Sequence, residues 1–265
     1  INKFYSISGG IDLRTYKGIH YREVTDLLGA DFAWNVDDKR INYEENPQAG
    51  FKHIGDKVDY FYYGFVRWGG VFTQLEYTGA LFTAFVNVSG ALSNYKLEHF
   101  FQNKTTSWKQ IPGGTIKGGI NYNMTENSNI FFNTGILSKA RDFNYIFPGY
   151  NPYFADNIEN EIVKAFELGY TFASPTFALN LNGYITNWLN KPGGSFTAND
   201  LSYDIPAVDA KHKGIEIDFS YKPIKNLDIQ FLFSLGDWKW NKLVKNVIVF
   251  ENDVPKDTVD FDLRG

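Results

Sequence analysis

The chain has 265 residues, with 26 Lys and Arg against 30 Asp and Glu, no cysteine, one methionine and 18% aromatic residues. The near-balanced charge argues against a nucleic-acid binder, which would carry a basic patch, and the lack of cysteine excludes disulfides and thiolate metal sites and fits an oxidising compartment. No run of about 18 apolar residues exists, which excludes a membrane helix but not a membrane barrel, where every second residue faces a polar lumen.

Strand-like alternation starts at once in "INKFYSISGGIDLR", with no signal-peptide pattern. The spacing predicts a strand over 4–16 and then a polar stretch over 17–56. Within it, "HYREVTDLLG" (20–29) places Val24, Leu27 and Leu28 on one side and ends on Gly29, predicting a helix. Strands are expected over 57–77 and 80–98, joined by a tight turn at Thr78-Gly79. A polar stretch over 99–113 leads to strands over 114–125 and 128–138, again tightly joined. The loop 139–160 is followed by strands over 161–173 and 176–188 across "FASPTF". After 189–210 come strands over 211–222 and 227–239, turning at "YKPIKNL". A last polar stretch, 240–256, precedes a tenth strand starting near 257. Tight turns recur roughly every 48 residues, a hairpin-plus-loop period.

Each strand has an apolar and a polar row, because successive side chains face opposite sides. Ile215, Ile217, Phe219 and Tyr221 oppose Glu216 and Asp218. Ile229, Phe231, Phe233 and Leu235 oppose Asp228 and Gln230. Leu179 and Leu181 oppose Asn180 and Asn182; Phe166, Leu168 and Tyr170 oppose Glu167; Ile116, Ile120 and Tyr122 oppose Lys117, Asn121 and Asn123. Strands of about 10–13 residues exceed the usual 5–6 and reach the roughly 9–11 needed to span a bilayer. Aromatic residues near strand ends (Tyr62, Tyr122, Tyr170, Tyr184, Trp188, Tyr221, Trp238) suit the headgroup level. Short turns at one end and long loops at the other match outer-membrane barrels. The expectation is an all-β fold: part of an antiparallel transmembrane barrel of about 9–10 long strands, with short periplasmic turns and long extracellular loops. Lys117, Asn121, Asn123, Glu167, Asn180, Asn182, Glu216, Asp218 and Gln230 would then face the lumen.

The loop "RDFNYIFPGYNPYFADN" is the best ligand candidate. Tyr145, Phe147, Tyr150, Tyr153 and Phe154 are flanked by Arg141, Asp142 and Asp156, and aromatic faces with a few polar groups suit sugars or siderophores. No catalytic or metal site is expected. His20, His53, His99 and His212 are scattered, Asp37, Asp38, Glu44 and Glu45 lack a calcium-loop spacing, and neither G-x-S-x-G nor H-E-x-x-H occurs.

Several segments resemble TonB-dependent outer-membrane receptors. Lys139-Ala140-Arg141-Asp142 stands where that family ends a strand in an "FRAP"-like motif. Glu161 and Phe166-Glu167-Leu168-Gly169-Tyr170 stand at its Pro-Glu and "YELGY" elements, with Asn160 in place of the proline. "LNLNGYITNWLNK" looks like the next strand, and Gly214-Ile215-Glu216 looks like its "GvE" strand. "GGIDLRTYKGIHYREVTDLLGADF" is similar to variants in Bacteroides-like bacteria. The resemblance implies a barrel of about 22 strands, an N-terminal plug domain, energy from the TonB complex, outer-membrane lipid as the surroundings, and uptake of a ferric siderophore, glycan or similar nutrient without covalent chemistry. On this reading residues 1–265 are a barrel portion without plug, signal peptide or the last strands. A soluble carbohydrate-binding β-sandwich and a non-transporting adhesin-type barrel are the alternatives. The sandwich requires the apolar rows to face each other in a closed core.

Overall fold

The computed structural model describes residues 4–156, 158–198, 201–205, 207–241, 243–251 and 254–264. In chain order the strands are β1 (Tyr5–Glu23), β2 (Ala33–Trp34), β3 (Phe51–Lys52), β4 (Lys57–Thr78), β5 (Phe82–His99), β6 (Lys104–Thr105), β7 (Lys109–Asn123) and β8 (Ser128–Lys139). They continue with β9 (Glu161–Ala173), β10 (Phe177–Lys191), β11 (Gly194–Ala198), β12 (Leu201–Ile205), β13 (Val208–Ile224), β14 (Leu227–Trp240), β15 (Leu243–Glu251) and β16 (Val254–Asp262). A short α-helix, α1 (Phe143–Ile146), lies between β8 and β9.

The long strands form one antiparallel sheet in the order β1-β4-β5-β7-β8-β9-β10-β13-β14, with β6 paired to β5. Neighbours in the sheet are neighbours in sequence apart from short excursions, so the pattern is an up-and-down meander. The connections β4–β5, β7–β8, β9–β10 and β13–β14 are tight. Those between β1 and β4, β5 and β7, β8 and β9, and β10 and β13 are long. Strictly alternating strand direction puts all the tight turns at one end and all the long loops at the other, as the sequence predicted.

The register aligns the apolar rows across the whole sheet. One such row runs Thr73–Val88–Ile116–Ile136, and another runs Tyr170–Leu181–Ile217–Phe233. These side chains stand open: Ile11 is 73% exposed, Leu168 59% and Leu235 63%. Among the described residues no second layer covers them, so the apolar rows do not form the closed core that a soluble sandwich requires. At the tight-turn end the row finishes in rings, with Tyr5 5.2 Å from Tyr77, Tyr77 5.0 Å from Phe82, and Phe177 5.3 Å from Phe219. At the loop end the same face turns cationic with Lys17, Arg67, Lys96 and Lys164. Along β5 the apolar row extends from Phe82 to Leu92. Ten residues at about 3.4 Å each, tilted by about 40°, give a band roughly 25 Å tall, the height of a barrel's lipid belt.

Four expectations are corrected. The helix over 20–29 does not form. His20 and Tyr21 instead extend β1 and pair with Tyr62 and Phe61 of β4, while Leu28 has φ 52 and its N–H bonds the Asp26 carboxylate at 2.8 Å. Leu28 is 93% exposed while Val24 is buried, so the three residues do not share one packed face. The stretches 189–210 and 240–256 hold strands β11, β12 and β15, which with β16 make a separate four-stranded sheet. The expected tenth strand is therefore real, but it pairs with β15 rather than with β14. Of the aromatics assigned to the headgroup level, only Tyr122, Tyr170 and Tyr221 lie on the apolar face. Tyr62, Tyr184, Trp188 and Trp238 share register with the polar row, opposite His99, Glu167, Val163 and His212.

Candidate functional site

The polar face carries side chains that bond to one another across strands. Glu167 of β9 accepts from Asn182 of β10 at 2.7 Å and from Asn133 of β8 at 3.0 Å. Asn121 donates to Asn123 at 2.8 Å, and Asn123 donates to the Ala80 carbonyl at 3.1 Å. Asn87 donates to Gln74 at 3.2 Å, Ser220 to Asp228 at 3.3 Å, and Trp238 Nε1 to Tyr184 at 2.9 Å. Lys117, Asn180, Glu216, Asp218 and Gln230 lie on the same face, through the pairs Asn87–Lys117, Asn180–Asp218, Asn182–Glu216 and Ser220–Gln230. All nine residues expected to face a lumen thus share one side of the sheet. Asn182 Oδ1 is buried without a hydrogen-bond partner, so this network retains an open acceptor.

Glycines on this face seat aromatic rings from the strand alongside. A Cβ on Gly169 would lie 2.2 Å from the Phe131 ring, and Phe131 is its direct cross-strand partner. Such a position admits only glycine while the ring lies flat over the backbone.

At the loop end residues 140–156 and 158–160 fold over the polar face. Phe147 and Ile146 are fully buried with Tyr62, Tyr95, Leu97 and Ile111, and Phe143, Phe154 and Ile158 pack around them. The segment is tethered at both ends. Arg141 Nη2 donates to the Asn190 carbonyl at 3.1 Å, and the Asn160 amide donates to the Pro112 carbonyl at 2.7 Å. Trp188 Nε1 reaches the buried Glu161 carboxylate at 3.2 Å. Burial pulls the Arg141 guanidinium down from its ordinary pKa, against the opposing pull of Glu159 and Glu161.

The eight ligand candidates therefore divide. Phe147 is sealed in the core and Arg141 is buried as a tether. Tyr145 and Phe154 are half-buried, and Phe154 lies 5.3 Å from Phe147. Asp142, Tyr150, Tyr153 and Asp156 are exposed. Tyr150 has φ 57, in the left-handed region that non-glycine residues rarely occupy, and its ring stacks on Tyr62 at 5.4 Å. Tyr62 stacks in turn on His20 at 4.8 Å, giving a three-ring column at the loop end of the polar face. Beneath the segment is a cleft of about 410 Å³, bordered by Trp68, Ser93, Tyr95, Lys139, Arg141 and Asp142. Sequence reasoning missed His20, Tyr62, Trp68 and Tyr95 as members of this site. They come from strands far apart in the chain, and only register brings them together.

No family model matches the sequence, and no curated protein matches it. Solved structures do match. The FrpB iron transporter from Neisseria meningitidis (F3-3 variant) aligns with a TM-score of 0.59 at 12% identity, over 97% of this chain and 35% of that one. The copper transporter OprC gives 0.65 at 11% identity, over 94% and 39%. BauA, the ferric preacinetobactin receptor from Acinetobacter baumannii, gives 0.54 at 14% identity, over 91% and 35%. The shared fold is that of part of an antiparallel transmembrane β-barrel. The chain spans little more than a third of the length of these structures. At such identities the fold is what is shared.

Proposed function

We propose that this chain is part of the barrel of a TonB-dependent receptor in the outer membrane of a Gram-negative bacterium, importing a nutrient such as a ferric siderophore or a glycan. The carrying observation is the set of open apolar rows, with rings at the tight-turn end and cations at the loop end. In water such an area would drive association, since monomeric soluble proteins rarely expose apolar patches beyond a few hundred Å². In hydrocarbon it is the solvated surface, and every paired strand satisfies its backbone. The polar face then lines a lumen, where a plug domain of the full-length protein would meet the Glu167 network.

Ligand capture is assigned to the exposed rings of Tyr150 and Tyr153 and the carboxylates of Asp142 and Asp156, above the cleft at Arg141. Rings fixed by stacking offer flat apolar contact at little conformational cost. Structural likeness to iron, copper and ferric-siderophore transporters makes metal chelates the first class to test, with glycans in parallel. The test is uptake of labelled chelates and oligosaccharides by cells with and without the full-length protein, in TonB-competent and TonB-deficient backgrounds. Uptake that needs both proteins supports the proposal. A full-length protein in the outer membrane whose loss and restoration change no uptake, in either background, would favour the adhesin-type reading.

A further inference from the structure

The ring column of Tyr150, Tyr62 and His20 has a second histidine beside it. His99 ends β5 at the loop end, well past the apolar row that stops at Leu92, and it is buried. Its ring lies 6.1 Å from that of Tyr62. His99 Nδ1 accepts from the backbone N–H of Gln102 at 3.3 Å, which requires a neutral imidazole with its proton on Nε2. The Gln102 side chain donates in turn to Asn151 Oδ1 at 2.8 Å. Asn151 then donates to the Pro148 carbonyl at 3.2 Å. One line of hydrogen bonds thus joins His99 to the Pro148–Tyr150 turn. That turn holds Tyr150 at φ 57, a conformation that persists only while its surroundings enforce it.

Protonation would break this line at its root. An imidazolium carries an N–H on both nitrogens, so Nδ1–H would meet the Gln102 N–H donor to donor. The surroundings also oppose a positive charge there. Burial and then Lys39, from the loop between β2 and β3, both work against it. Lys104 is the register partner of His99 on β6. Tyr62 is the titratable group facing it from β4, and Tyr150 stacks on the far side of Tyr62. His99 makes no ion pair among the described residues. The closed turn therefore belongs to the neutral ring. A histidine released by opening titrates near about 6.5. Closure is complete above that value and weakens as pH falls below it, by at most about tenfold per pH unit. Phe101 is buried, and its carbonyl keeps the Lys39 amide at 2.7 Å, so the loosening is confined to Gln102 and what it holds.

We propose that His99 is an acid-sensitive latch on the Tyr150 turn: a proton on Nδ1 displaces the Gln102 N–H, the Gln102–Asn151 tether lets go, and Tyr150 leaves its place over Tyr62. The consequence for ligand capture rests on the assignment of Tyr150 above; the latch itself is tested without any ligand. The readout is amide hydrogen exchange of the full-length protein in mild detergent, at about pH 7.5 and about pH 5.5, corrected for the intrinsic pH dependence of exchange. Protection of the Gln102 and Asn151 amides should fall by about three- to tenfold on acidification, while that of the Lys39 amide holds. His99→Asn places an amide oxygen near the position of Nδ1 and cannot take up the proton, so protection should be the same at both pH values. Gln102→Leu cuts the tether but keeps the backbone N–H. Its Asn151 amide should exchange fast at both pH values, while the amide of residue 102 still responds to acid. His20→Gln, at the other titratable ring of the column, should leave the wild-type response intact. Protection of Gln102 and Asn151 that acid leaves unchanged, or that acid lowers equally in His99→Asn, overturns the latch and leaves the receptor reading standing. A loss of Lys39 protection in the same pH range would mean general loosening and overturns it too. If the exchange pattern appears as expected while uptake is indifferent to Tyr150→Ala, the latch stands and the capture assignment falls.

Discussion

Val86 lies midway along the apolar row of β5, paired with Leu75 and Gly118, and it is 41% exposed. If water were its neighbour, Val86→Arg would change stability by no more than about 0.5 kcal/mol, as exposed substitutions do. If hydrocarbon is its neighbour, an arginine near the bilayer midplane of a barrel costs about 2–4 kcal/mol. At about 1.4 kcal/mol per tenfold, that is a drop of roughly 30- to 700-fold in the folded-to-unfolded ratio. Leu92, six residues along the same row, provides an internal control. It lies about 20 Å farther along the strand, next to the cationic zone, where the cost falls to about 0–1 kcal/mol. The assay is urea titration of the full-length protein refolding into lipid vesicles, followed by tryptophan fluorescence. A Val86→Arg cost equal to that of Leu92→Arg, or below about 0.5 kcal/mol, would refute the reasoning.

Gly169→Ala should destabilise by about 1–3 kcal/mol through the Phe131 ring, and adding Phe131→Ala should recover part of that loss, a non-additivity seen in the same urea titration. Glu167→Leu removes the acceptor shared by Asn133 and Asn182; each amide left without a partner costs about 1–3 kcal/mol, whereas Glu167→Gln should cost less. In the loop between β2 and β3, Asp38 is buried, which works against its charge, yet Arg40 donates to it at 2.9 and 2.7 Å and holds the carboxyl below its ordinary range. A depressed folded pKa gives stability that is present above the unfolded value of about 3.9 and lost as pH falls through the folded one. Hydrogen-exchange protection of the Lys39 amide, which bonds the Phe101 carbonyl at 2.7 Å, should therefore fade below about pH 4, and Asp38→Asn should flatten that dependence. Tyr150→Ala should weaken capture of the transported ligand by about tenfold or less, the value of one ring contact at about 0.5–1.5 kcal/mol, read as a raised half-saturation of uptake with the maximal rate unchanged.

Alternation in the sequence carried most of the sheet. Rows such as Ile215-Ile217-Phe219 have a period of two that no helix shares, and turn residues such as Pro223 and Asn226 marked the tight ends. Loop structure was less legible. Val24, Leu27 and Leu28 fit a helical stripe, but the pairing of His20 and Tyr21 with β4 took the first half of the segment, and in the second Val24 is buried while Leu28 stands open. Strands β11, β12 and β15 went unseen because their segments are mixed in polarity and gain stability only from pairing with one another. For the site, alternation put Glu167, Asn182 and Glu216 on one face, and the register groups them the same way. It could not separate Phe147, which seals the core, from Tyr150 and Tyr153, which stay open, because one loop carries all three and only its fold over β4, β5 and β7 distinguishes them. The same applies to His20 and Tyr62, whose stacking depends on the β1–β4 register.

The absence of cysteine from the chain permits the most direct test, one spin label at a time. Labels go on single cysteines at Val86, Leu181 and Phe233 on the apolar face, and at Asn121, Asn180 and Glu216 on the polar face, with the full-length protein in vesicles. The first three should be relaxed by lipid-soluble oxygen and shielded from an aqueous nickel chelate, and the last three should show the reverse. Labels at Val86, Leu181 and Phe233 that all respond to the nickel chelate would mean those rows face water, and the barrel account would be wrong.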